Sequence, residues 1–112
     1  MRAVESSGEI EIFCHQAGAS GRGSVPSFDS FKVGDRLSLL FVPDGSPTPP
    51  YSLKIHSPTG ALVLDTLVRD VPTGAPQSPP PIEFIVSVSG LYKVKVQALK
   101  DPQRGEATIR VG

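Results

Sequence analysis

The stretch Ser89-Gly90-Leu91-Tyr92-Lys93-Val94-Lys95-Val96 decides the fold class. Strand side chains alternate between two faces, so Tyr92, Val94, Val96 and Ala98 share one side, while Leu91, Lys93, Lys95 and Gln97 share the other. The first set is read as core and the second mostly as surface. One strand cannot hide an apolar face alone, so the rest of the chain must supply the opposing layer.

Upstream, Glu9-Ile10-Glu11-Ile12-Phe13-Cys14 alternates strictly and predicts a first strand with Ile10, Ile12 and Cys14 inward. Residues 36–42 predict a central strand, because Leu37, Leu39 and Phe41 alternate with the partly apolar Ser38, Leu40 and Val42. Residues 51–57 bury Tyr51, Leu53 and Ile55. Ser57-Pro58-Thr59-Gly60 is a tight turn leading into a strand over 61–69. Residues 82–88 point Ile82, Phe84, Val86 and Val88 inward, and 106–111 do the same with Ala107, Ile109 and Val111. No segment has a helical period. About seven short strands separated by turn signals make an all-β, antiparallel β-sandwich with Greek-key connections.

The links between strands hold most of the 12 Pro and 11 Gly. Residues 43–50 and 70–81 cannot continue a ladder, because their prolines lack donors. Residues 15–35 read as one long connection with a Gly/Ser-rich tip, pinned down by Phe28, Phe31 and Val33. Residues 1–8 read as an N-terminal tail. The 112 residues are expected to form a single domain, and 38% hydrophobic content with 20% charge suits a globular chain.

The spacing Gly90-x-Tyr92-x-Val94 resembles strand F of immunoglobulin-like domains, where a glycine, a corner tyrosine and an inward residue recur. The resemblance implies that Val94 and Leu39 stand where such domains have their paired cysteines. Phe31-Lys32-Val33-Gly34-Asp35, Ser57-Pro58-Thr59-Gly60 and Ser89-Gly90-Leu91-Tyr92-Lys93-Val94 are together similar to bacterial pre-peptidase C-terminal and macroglobulin-like domains. Those families imply a non-catalytic sandwich attached to a larger secreted or surface protein. The chain departs from the antibody pattern in having no Trp and one Cys.

Eleven basic and eleven acidic residues give a formal charge of zero, which predicts no general attraction to nucleic acid or anionic membrane. No run approaches the roughly 20 apolar residues of a membrane span. Residues 1–8 lack the apolar region of a signal peptide. The chain is therefore expected to be intracellular, or to be extracellular as part of a longer exported protein.

Catalytic patterns are sparse. Ser87 and Ser89 lack the preceding glycine of a nucleophile elbow. His15 and His56 fall on different elements, and Gly18 to Ser24 lacks the lysine and following helix of a phosphate loop. The aspartates, Asp44, Asp70 and Asp101 among them, never form a calcium loop and read as turn caps. Cys14 reads as a small buried apolar residue. The expectation is no enzyme activity, no metal and no cofactor.

Two surfaces are left as candidate sites. Alternate loops of an antiparallel sandwich emerge at one end, which would gather 43–50, 70–81 and 99–105 into a proline-stiffened tip with Asp44, Tyr51 and Asp101. In the immunoglobulin-like arrangement, Lys54, His56, Lys93, Lys95, Thr108 and Arg110 would line one basic outer face. Glu9, Glu11, Asp65 and Glu83 would lie toward the other sheet. The expected function is a binding or accessory interaction module for a protein or an anionic polymer. The alternative is a structural spacer or a decoration subunit of a particle.

Overall fold

The computed structural model describes residues 4–17, 31–45, 50–69, 81–100 and 102–112. Eight strands occupy them: β1 (Val4–Gly8), β2 (Glu11–Gln16), β3 (Arg36–Val42), β4 (Tyr51–His56), β5 (Leu62–Val68), β6 (Ile82–Ile85), β7 (Gly90–Ala98) and β8 (Arg104–Val111). They form a five-stranded sheet, β1-β8-β7-β4-β5, and a three-stranded sheet, β2-β3-β6. All the strand pairs are antiparallel. The fold is an all-β sandwich. Neighbours distant in sequence, β3 with β6 and β4 with β7, give it Greek-key connectivity. No helix among the described residues is long and apolar enough to cross a membrane.

The predicted inward residues meet between the layers. Ile12, Cys14, Leu37, Leu39 and Phe41 from the smaller sheet pack with Tyr51, Leu53, Ile55, Tyr92, Val94, Val96, Ala107, Ile109 and Val111 from the larger. Tyr92 also anchors the corner between β6 and β7. Its hydroxyl accepts from the amides of Ser87 and Val88, both at 3.1 Å, and donates to the Val88 carbonyl at 2.9 Å. These bonds satisfy main-chain groups where the chain leaves one sheet for the other. Gly90 opens β7 at φ 126°, and a Cβ there would lie 2.7 Å from the Pro58 ring. The corner and the Ser57 to Gly60 turn therefore touch, and only glycine fits between them.

Four expectations are corrected. The presumed tail contains β1, whose five residues pair with β8 from Val4↔Ile109 to Gly8↔Gly105. Main-chain bonding makes this strand, which has only one large apolar side chain to signal it. The strand after the Ser57 turn joins the sheet of β4 instead of crossing to the other layer, as a tight hairpin favours. The 82–88 strand ends at Ile85. Val86 is still buried, but Val88 is half-exposed because the chain turns toward the Tyr92 hydroxyl. Within the 15–35 connection, Phe31 is buried and bridges to Val111, as an anchor should. Val33 does not pack down, since it lies in a turn and is half-exposed. Phe28 and the Gly/Ser-rich tip lie outside the described residues.

Candidate functional site

The loop end is built by main-chain geometry. The β3–β4 and β7–β8 connections leave at the same end, and Leu99 N–H donates to the Pro50 carbonyl at 3.1 Å. Asp44 and Gln103, 59 residues apart, clasp each other: the Asp44 amide donates to Gln103 Oε1 at 3.2 Å, and Gln103 Nε2 donates to the Asp44 carbonyl. The β1–β2 turn reaches the same end, where Glu9 Oε1 accepts from the Arg104 amide at 3.2 Å and Ile10 N–H donates to the Arg104 carbonyl. The Arg104 amide, followed by Glu9's own amide, holds the Glu9 carboxyl below the usual range. Gly105 admits this turn: a Cβ there would lie 2.1 Å from the Ile10 carbonyl oxygen. Beside the clasp is an open hollow of about 380 Å³, bordered by Ser6, Glu9, Glu11, Pro43 and Asp44.

Of the residues assigned to this end, Asp44 is exposed and belongs to the clasp. Tyr51 is 3% exposed and lies in the core, so its ring offers no contact surface. It occupies an inward position of β4, where alternation with Leu53 and Ile55 puts it. Asp101 and nearly all of 70–81 lie outside the described residues. Gln103 and Glu9 were not legible as site residues, because their partners are distant in sequence and neither belongs to a recognisable motif.

The proposed basic face is more mixed than expected. Lys54, Lys93, Lys95, His56 and Arg110 do share the outer side of the larger sheet. Register, however, sets Asp65 beside Lys54 and Glu106 beside Lys95, giving the row Asp65–Lys54–Lys95–Glu106. Glu5 lies beside Thr108, which pairs with Lys93. Asp65 and Glu5 arrive because β5 and β1 both join this sheet. Glu106, two residues before Thr108, was readable from alternation alone. A shallow depression of about 500 Å³ follows the β1–β8–β7 side, with Lys93 and Lys95 facing Glu5, Glu106, Ser7 and Thr108.

The remaining candidate chemistry is dispersed. Exposed His15 is on β2 and partly buried His56 on β4, in different sheets. Cys14 is buried, and desolvation pushes its thiol up to about 12, which keeps it protonated and unreactive at neutral pH. Among the described residues, no three of His, Cys, Asp and Glu converge as a metal-binding group. Comparison with known proteins finds no matching family model, no similar curated protein and no similar solved structure.

Proposed function

We propose that the chain is a non-catalytic binding or accessory interaction module, and that it meets a protein partner through its loop end. The observation that carries this is the Asp44–Gln103 clasp, which ties two connections 59 residues apart into one surface. A loop pair already held together loses less entropy when a partner engages it. Loops on a rigid sandwich are also common places for recognition. A protein partner fits better than an anionic polymer, since Asp65, Glu106 and Glu5 interrupt the lysines on the sheet face.

In this reading the strand connectivity, the Tyr92 corner and the Gly90-x-Tyr92-x-Val94 spacing belong to an immunoglobulin-like sandwich. They also support a likeness to pre-peptidase C-terminal or macroglobulin-like accessory domains. The alternative, a structural spacer or particle decoration subunit, draws support from the alternating charges of the sheet face, which need no ligand to neutralise them.

Protein and glycan arrays probed with three forms of the domain separate these readings. One is unaltered, one has the clasp removed by Gln103→Ala with residues 43–50 replaced, and one carries Lys54, Lys93, Lys95 and Arg110 changed to Gln. Loss of a specific ligand only with the clasp variant is the expected result. Binding that survives both variants would refute both surfaces, and absence of any ligand favours the structural role.

A further inference from the structure

We infer that β5 is a self-association edge, and that two copies of this chain join it antiparallel about a two-fold axis at Thr66. The first support is where its main chain points. Leu99 N–H bonds to the Pro50 carbonyl, which makes Pro50 and Leu99 a hydrogen-bonded pair. By alternation, Ser52, Lys54 and His56 bond toward β7, whereas Tyr51, Leu53 and Ile55 bond toward β5. Thr66 and Leu64 therefore use their main-chain groups inside the sheet, and those of Asp65 and Leu67 point to the open side. No described strand pairs with that side.

The second support is composition. β5 reads Leu62-Val63-Leu64-Asp65-Thr66-Leu67-Val68, and Leu67 is 61% exposed. Exposed apolar edges of this length are normally covered or broken by charge. Its end-strand counterpart β1 carries Glu5, Ser6 and Ser7, and β6 is only four residues long.

The third support is charge complementarity between Asp65 and the partner's Arg69. An axis at Asp65 would set two carboxylates face to face. An axis at Leu64 would run the pairing through the irregularity opposite Ile55 and His56. With the axis at Thr66, Asp65 and the partner's Leu67 exchange two main-chain bonds, and the symmetric pair does the same. Leu64 then lies opposite the partner's Val68, both being only partly covered within one copy. Strand twist at such hydrogen-bonded pairs brings the i, j+2 diagonal together, so Asp65 meets the partner's Arg69.

Sedimentation equilibrium of the full chain and of Leu67→Pro tests the edge, because this substitution removes an outward amide without removing a bond to β4. The unaltered chain should move toward twice the monomer mass with rising concentration, and Leu67→Pro should raise the dissociation constant at least tenfold. Oxidative cross-linking of single cysteine variants tests the register independently of that folding risk. Facing residues of a non-hydrogen-bonded pair have Cα atoms about 4.5 Å apart, within disulfide reach. Buried Cys14 should not compete. Thr66→Cys should dimerise at least tenfold faster than Leu64→Cys or Asp65→Cys. A monomer at millimolar concentration, a dimer indifferent to Leu67→Pro, or faster linking at Leu64 or Asp65 would overturn the proposal.

Discussion

Strands β7 and β5 belong to the same sheet, both adjoin it in antiparallel fashion, and β5 has the higher share of large aliphatic residues. Yet β7 buries every second side chain and β5 buries none fully. The difference is one of position and phase. β7 has neighbours on both sides and faces the smaller sheet, so its alternation is converted into core. β5 has one neighbour and lies beyond the reach of the three-stranded layer, so its leucines and valines remain partly in water. Apolar content alone therefore does not measure a strand's contribution; the second layer does.

That contrast can be broken by substitution. Tyr92→Ala should cost about 3 to 5 kcal/mol, because it empties a fully buried ring site, whereas Leu67→Ala in dilute solution should cost under about 0.5 kcal/mol. Urea melts showing equal losses would mean that β5 is covered after all. Gly90→Ala should come next, at about 2 to 3 kcal/mol, since it combines a left-handed φ with a clash against Pro58. A thermal melt unchanged from that of the unaltered chain would show that the corner can relax.

Smaller effects sharpen the same comparison. Tyr92→Phe keeps the ring but leaves the Ser87 and Val88 amides without the hydroxyl, a loss of about 1 to 2 kcal/mol by chemical denaturation. If Tyr92→Phe matched Tyr92→Ala, the hydroxyl and not the ring would be the anchor. Lys93→Ala, on the outer face of the same strand, should change stability by less than about 0.5 kcal/mol. A larger loss in the same melts would mean that the mixed charge row contributes more than solvated side chains do.

The core was the most legible part of the chain. Tyr92, Val94 and Val96, like Leu37, Leu39 and Phe41, lie inward because period-two alternation is a local property. What escaped was set by pairing. Val4–Gly8 has no apolar alternation, yet its main chain finds β8. Leu62–Val68 alternates imperfectly, and only register reveals which sheet it extends. The candidate site suffered in proportion. Lys54, Lys93 and Lys95 share a face as expected, but Asp65 and Glu5 join it from β5 and β1, the two strands that sequence reasoning misplaced, while Glu106 on β8 was readable. Asp44 stands at the loop end, whereas the residue that holds it, Gln103, carries no local signal of that role.

The pairing of β1 with β8 also has a mechanical consequence. Because Val4 faces Ile109 in an antiparallel ladder, the outer ends of the two strands lie side by side. Tension applied through them would pull across the ladder and part its rungs one after another, as a zipper opens, instead of loading them together in shear. The first strand would peel away at low force while β2 to β8 stayed folded. Such a domain would give way early under tension applied to the outer ends of β1 and β8.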